Sequence, residues 1–356
     1  MTKKITCKGK DVPFGSYLES DLRTLQGVLI LKQGTYIDEY VKVQLENYLG
    51  DIAVNLDIAD DIAEQGEQLH DDKAVELEQN IKDRALQGVE YMYSNPDSID
   101  SVDAAKETSN ILLNSINQSD GVNISINSLK VSDDYTFKHC IDVATMGMLV
   151  AKKVGMNDKD VQDIATAGLL HDLGKVEIPK EILNKPGKLT AEEYDIIKKH
   201  PIYGYNLIKS NNKLSDGTKQ GILMHHEKID GTGYPLGLKT SKIHTFGRLL
   251  SIVDVYDALV TKRPYRNEII EQSTAVEMLL AMSPQFDLNF LNAFLNCVIL
   301  YPIGSKVVLS NGKVCEVVAQ NNGYPLRPVV REIITNELFD LLHDTSCLSV
   351  TIVSHV

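Results

Sequence analysis

The residues that could do chemistry lie between His139 and His226, where five of the chain's nine histidines fall. An Asp directly follows one of them in His171-Asp172-Leu173-Gly174-Lys175, and a pair opens the run His225-His226-Glu227-Lys228-Ile229-Asp230-Gly231-Thr232-Gly233-Tyr234-Pro235. Neutral imidazoles and carboxylates together, without thiolate, are ligands for borderline first-row cations. A lone His on an apolar face is a packing residue; five of them, with Asp254 downstream in the apolar stretch Leu249 to Val260, require another account. A carboxylate buried in such a stretch is costly unless it is ion-paired or metal-bound. A salt bridge to Arg248 or Arg263 is the plainer alternative for it. Asp257 lies one turn on and can share its face. Together these residues read as the site of a metal-dependent hydrolase.

Several elements must position them. Adjacent side chains point about 100° apart on a helix, so His171 and Asp172 reach one metal best where a helix ends, and Gly174 is read as that end. Lys175 can face the same site and neutralise a phosphate oxygen. Apolar residues at Val161, Ile164, Ala165 and Leu169, with Gly168, predict a helix over 158–170 that runs into the pair. Asp133-Asp134 marks the start of the helix carrying His139. Thr190 caps a helix running through His200, with Glu193 as the capping-box acid. Phe246 to Val260 is apolar nearly all round, the mark of a buried helix. Gly231-x-Gly233-Tyr234-Pro235 builds a fixed turn, which can also bring Tyr234 against a base or a ligand. Glu227 is either acidic surface or a hydrogen-bond partner of a ligand imidazole, and is left outside the site. His70, His244, His343 and His355 match no motif and are read as surface or packing residues.

The fold class is mainly α. Residues 1–58 form a small α/β module, with strands near 28–31 and 52–56 and a helix over 40–48; packing or dimerisation is the first reading of it, sensing the second. Residues 59–119 are acidic and helical, a region that connects a regulatory module to an output module or, equally, an ordinary helical subdomain: one helix ends at Asn95-Pro96, because the residue before Pro disfavours helical geometry, and Asp97 or Ser98 caps the next. Residues 120–300 are almost wholly helical and carry the site. Residues 301–356 form a β extension, read as a stabilising cap, with a hairpin turning at Asn311-Gly312 and further strands at Val329-Val330 and over Leu348 to Val353. The net charge of −13, from 36 basic and 49 acidic side chains, argues against binding a DNA or RNA backbone, which needs a basic face. There is no apolar run long enough to span a membrane and no signal-peptide pattern. Five scattered cysteines with no Cys-x-x-Cys suggest a reducing, cytoplasmic setting.

His139, His171-Asp172 and Asp254 resemble the four-ligand signature of the HD-domain phosphohydrolases. His200, His225-His226, the Asp230-to-Pro235 run and Arg263-Pro264-Tyr265-Arg266 are similar to the HD-GYP subfamily, over roughly residues 120 to 335. The resemblance implies an HD-type helical catalytic bundle and a metal-dependent phosphodiesterase that hydrolyses cyclic di-GMP to pGpG, and further to GMP, with hydroxide held between two metals as nucleophile. It implies that Asp172 bridges, that His139, His171 and Asp254 complete one metal position, and that His200, His225 and His226 complete the other. Iron is the expected metal, with manganese as substitute. Family members with a third metal carry a Glu one turn before the first His; Tyr135 stands there, so two metals are expected. The resemblance also implies catalytic roles for Asp172 and Lys175, an orienting role for Asp257, and substrate contacts from Lys175, Gly233, Tyr234, Arg263 and Arg266. Diguanylate cyclases docking on the GYP loop are an implied partner, and a homodimer an implied assembly. Two alternatives stand beside this: an HD-type hydrolase of another cyclic dinucleotide or nucleotide, and a non-catalytic module that senses cyclic di-GMP or docks a partner.

Overall fold

The computed structural model describes residues 2–8, 22–23, 29–31, 53–59, 77–118, 135–261 and 270–355. The chain divides into two compact units, Met1–Asp71 and Asp72–Val356.

In the first unit, β1 (Thr2–Lys8), β2 (Leu22–Arg23), β3 (Leu29–Leu31) and β4 (Ala53–Ala59) form two antiparallel pairs, β1 with β4 and β2 with β3. β3 and β4 fall where the apolar runs predict strands. The helix expected over 40–48 lies outside the described residues.

The second unit is a helical bundle followed by a sheet. Its helices are α1 (Gln79–Ser94), α2 (Ile99–Gln118), α3 (Tyr135–Lys153), α4 (Asp158–Leu170), α5 (Lys180–Leu183), α6 (Ala191–Ile197), α7 (His200–Ile208), α8 (Asp216–Met224), α9 (Thr245–Val260), α10 (Gln272–Ala281) and α11 (Leu288–Cys297). α3 and α9 form the centre. From Cys140 to Ala151 every residue of α3 is buried, and α9 buries Phe246, Leu249, Leu250, Ile252, Val253 and Tyr256. Caps fix where the surrounding helices begin. Asn157 accepts from the Asp160 amide at 3.0 Å to start α4, and Ser215 accepts from the Thr218 amide at 3.1 Å to start α8. α1 and α2, expected as a connecting region, pack on each other and on α3 and α4 as a wall of the bundle. α1 begins at Gln79 and presents Lys82, Ala85, Val89 and Met92 inward.

One boundary differs from expectation. The helix capped by Thr190, with Glu193 completing the capping box, stops at Ile197, and His200 opens a new helix. Pro201 sits in the first turn of α7, where a missing N–H leaves no intrahelical bond unmade.

The C-terminal extension joins the expected hairpin to three further strands, of which β8 (Leu338–Asp340) is one the sequence did not suggest. β5 (Lys306–Leu309), β6 (Val314–Ala319), β7 (Val329–Glu332), β8 (Leu338–Asp340) and β9 (Ile352–His355) form one antiparallel sheet in the order β8-β7-β6-β5-β9. The predicted β5–β6 hairpin turns at Gly312, whose φ of 85° suits Gly. The Arg327 guanidinium ties down the irregular tail by donating to the carbonyls of Val350 at 2.6 Å and Leu348 at 3.0 Å. No described helix is long and apolar enough to cross a membrane.

Candidate metal centre

Three of the five histidines sit at helix ends and use the same local bond. The last carbonyls of a helix have no intrahelical donor. His171 directs Nδ1 at the Gly168 carbonyl of α4 (2.6 Å), His200 at the Ile197 carbonyl of α6 (2.9 Å), and His225 at the Ile222 carbonyl of α8 (2.7 Å). His139, buried within α3, directs Nδ1 at Asp257 Oδ2 of α9 at 2.5 Å. Each Nδ1 faces an acceptor and so carries a proton, which leaves Nε2 as the atom that can turn to a cation.

Those Nε2 atoms converge. His171 and His139 bring theirs within 3.2 Å of each other, and His200 and His225 within 3.1 Å. Facing lone pairs at that distance repel unless a cation or a proton stands between them, so the donor set fits metal. His139, His171 and Asp254 form one group able to hold an ion; Asp172, His200, His225 and His226 form the other. Asp172 faces both: Oδ1 lies 3.3 Å from His200 Nε2, and Oδ2 lies 3.4 Å from His171 Nε2. Asp254 is divided in a similar way, with Oδ1 3.1 Å from His139 Nε2 and Oδ2 3.4 Å from His226 Nδ1. Arg248, its alternative partner, pairs instead with Asp287. All these side chains are buried except His226, which is partly exposed.

The electrostatics follow from burial and neighbours. Burial pushes the Asp172 carboxyl up, but Lys175 and the His171 and His200 imidazoles outweigh it and hold the carboxyl well below the usual range. Burial likewise opposes the Asp254 carboxylate, and bonding to His139 with the charge of His226 holds it low. Burial, then the charges of His226 and His171, keeps His225 well below an ordinary imidazole, and burial takes His226 down to about 3. His139 goes the other way. Burial would lower it, yet its bonds to Asp254 and Asp257 raise it to about 10. Behind Asp257 lies buried Asp142, pushed well above the usual carboxylate range by its burial and by the charge of Asp257.

Lys175 places Nζ 2.5 Å from Asp172 Oδ2, with a quarter of its side chain exposed. Gly174 does not end a helix in the left-handed conformation, as the sequence suggested. Its role is close approach: a Cβ there would lie 2.0 Å from the His200 carbonyl oxygen and 2.3 Å from the Gly204 amide. That contact lets α7, carrying His200, sit against the turn carrying Asp172. Gly233 is constrained alike, since its Cβ would meet the Lys228 amide at 2.3 Å. The loop thereby folds back on the His pair, and the Tyr234 ring comes to 4.5 Å from that of His226.

Arg263 and Arg266 lie outside the described residues, as does the side chain of Tyr135, although Tyr135 opens α3. Sequence reasoning missed Glu227. It is 1 % exposed and accepts from the amides of Leu236 at 2.7 Å and Leu238 at 2.8 Å, which pins the far end of the Gly231–Pro235 loop. Its place beside the His pair was the one available signal. His244 caps α9, accepting from the Phe246 amide at 3.1 Å.

The HD domain family model matches residues 123–289. A cyclic di-GMP phosphodiesterase of Pseudomonas aeruginosa is 36 % identical over 208 residues, 58 % of this chain and 50 % of that protein. One from Thermotoga maritima is 40 % identical over 136 residues, 38 % of this chain and 37 % of that protein. A 3′3′-cGAMP-specific phosphodiesterase of Vibrio cholerae is 36 % identical over 162 residues, 45 % of this chain and 31 % of that protein. The chain thus spans half or less of the length of these relatives. Among solved structures, Bd1817, an HDG"Y"P protein from Bdellovibrio bacteriovorus, shares the fold with a TM-score of 0.51 at 18 % identity, over 82 % of this chain and 98 % of that one. Residues 123–289, which carry the imidazole and carboxyl cluster and the loop that folds back upon it, thus match the HD domain, and the chain is similar in sequence to phosphodiesterases of cyclic dinucleotides.

Proposed function

We propose that this chain is a metal-dependent phosphodiesterase that opens cyclic di-GMP to the linear dinucleotide pGpG, with further cleavage to GMP. The observation that carries the reading is the placing of Asp172, whose two carboxylate oxygens face two separate groups of imidazoles. His139, His171 and Asp254 would hold one cation, and His200, His225 and His226 the other, with Asp172 shared. Bound there, divalent cations would supply an acidified water as nucleophile and would neutralise the phosphoryl oxygens. N/O ligands without thiolate suit iron(II), and manganese(II) as its substitute.

The chain's own residues do the positioning. Asp257 holds the His139 ring through Nδ1. Lys175, at the open edge beside Asp172, is placed to bind a non-bridging phosphoryl oxygen as charge develops on it. Gly233 and Glu227 set the loop so that Tyr234 stands over His226 at the mouth, where a guanine can meet its ring. Arg263 and Arg266 would bind phosphate or a guanine edge with a bidentate fork. The exposed side of the same loop, with Leu236 51 % exposed, is where a diguanylate cyclase would dock.

A second reading, 3′3′-cGAMP as substrate, is favoured by the Vibrio relatives specific for it. Anaerobic loading with iron(II) or manganese(II), then incubation with cyclic di-GMP, 3′3′-cGAMP and cyclic di-AMP, separates the readings. Fastest turnover of cyclic di-GMP with pGpG as first product is expected. Turnover of 3′3′-cGAMP alone would replace the substrate, and a fully loaded protein inert to all three would leave a sensing or docking module.

A further inference from the structure

We propose that Tyr93, on the helix that precedes the family-matched residues, is a positioning residue of the metal centre. The inference rests on the dinuclear reading above. Tyr93 lies at the end of α1, and its ring packs edge-on against Phe137 of α3 with centroids 5.6 Å apart. Its hydroxyl reaches past that contact to two atoms, each next to a metal-ligand residue. Oη lies 3.1 Å from the Sγ of Cys140, the neighbour of His139. It also lies 3.5 Å from the carbonyl oxygen of Leu169, two residues before His171 and three before Asp172.

These bonds have one consistent direction. The Leu169 carbonyl oxygen can only accept, so the tyrosine O–H donates to it, and the Cys140 S–H is then the donor to the tyrosine oxygen. The Leu169 carbonyl belongs to the last turn of α4, whose carbonyls need outside donors. The His171 ring takes Gly168, the carbonyl immediately before it. One imidazole and one phenol thus satisfy adjacent carbonyls at the helix end that presents His171 and Asp172. Through Tyr93 the ends of α3 and α4 are held in register, which fixes the 3.2 Å separation of the His139 and His171 Nε2 atoms. α1 brings a second polar group to the same wall. Lys82, 9 % exposed on its inward face, contributes positive charge at buried Asp142, behind Asp257 and His139.

The test is Tyr93→Phe in the full chain, which keeps the ring and its contact with Phe137 and deletes only the hydroxyl. Metal dissociation constants are measured by chelator competition with manganese(II), beside thermal unfolding of the metal-free protein. Groups that orient metal ligands contribute about 10- to 100-fold to affinity. Tyr93→Phe should therefore weaken one metal position about tenfold while its metal-free unfolding midpoint stays close to that of wild type. The exchange-coupled EPR spectrum of the two-manganese form should also change, which a purely structural tyrosine would not cause. Cys140→Ala removes the sulfur that steers the hydroxyl, and should lower affinity at the same position; combined with Tyr93→Phe its effect should not add. Wild-type affinity and spectrum in both folded variants would overturn the inference alone, as would additive losses. A wild-type protein that takes up no metal would refute the dinuclear reading and this inference with it.

Discussion

In the metal-free protein, a proton on His139 takes the place of a cation. Held at about 10 by Asp254 and Asp257, the ring is protonated at neutral pH, whereas metal needs its Nε2 lone pair. The other shifted ligands are already in their binding forms: Asp172 and Asp254 are carboxylates, and His225 and His226 are neutral. Loading the His139 position must therefore release one proton. Below pH 10 its apparent affinity should rise roughly tenfold per pH unit, or about 30-fold between pH 7.5 and 9.0. The sign for stability is opposite. A His raised in the fold from an ordinary 6.5 to about 10 stabilises the metal-free protein fully below pH 6.5, and that stabilisation drains away as pH climbs through 10. Metal-free protein should thus lose unfolding temperature over the window in which metal affinity grows. Manganese(II) binding measured under argon against a chelator corrected for its own protonation gives the slope. Asp257→Asn supplies the control. It removes a charge-assisted bond contributing about 1.5–3 kcal/mol, or about 10- to 150-fold, but it also lowers the competing proton affinity of His139. The variant should trail wild type by less at pH 7.5 than at 9.0. A flat wild-type profile, or a constant gap between the two proteins, would refute the assignment of the proton to His139.

Asp172→Ala should empty both metal positions, because one carboxylate faces both groups; elemental analysis finding two ions per chain would contradict the shared role. Glu227→Gln replaces an acceptor of two amides with a group offering one, so the loop loosens: KM should rise about tenfold with metal content unchanged, and metal loss would place Glu227 nearer the ions than its bonds suggest. Gly174→Ala drives a Cβ into backbone atoms of His200 and Gly204, and should cost about 1–3 kcal/mol or more by overpacking. An unchanged urea midpoint would mean that α7 does not bear on the Asp172 turn as described.

How much of this the sequence reveals depends on whether a residue's partner is local. The gathering of His171-Asp172, the His pair and Asp254 in one cluster was legible because ionisable groups are expensive to bury singly and these types suit a shared cation. The Thr190 cap was legible because its partner Glu193 lies three residues on. Gly174 was noticed for the wrong reason. As a helix stop it needs only its own backbone, but its actual constraint comes from His200 and Gly204, over twenty-five residues away. Glu227 fared similarly: its two amide donors lie nine and eleven residues on, across a loop whose path composition does not fix. The break between α6 and α7 was missed because Lys198 and Lys199 suit a helix, so that only Pro201 marked the boundary.

The limits of the catalytic unit are the last place where pattern and packing disagree. The family match begins at residue 123, yet α1, which ends at Ser94, contributes the Tyr93 hydroxyl and the Lys82 charge to the wall behind His139 and His171. A motif is recognised by the groups that touch the metal. The His139 and His171 rings that meet at 3.2 Å are held from behind, His139 by the Asp257 carboxylate and His171 by a helix-end carbonyl, and any nearby donor can take the remaining carbonyls of such an end. The donor to Leu169 is supplied here by a helix that carries no motif residue, so a change anywhere along α1 that rotates it would move the Tyr93 hydroxyl relative to the Leu169 carbonyl. On the proposed role of Tyr93, α1 is therefore part of the metal centre although it carries no motif residue.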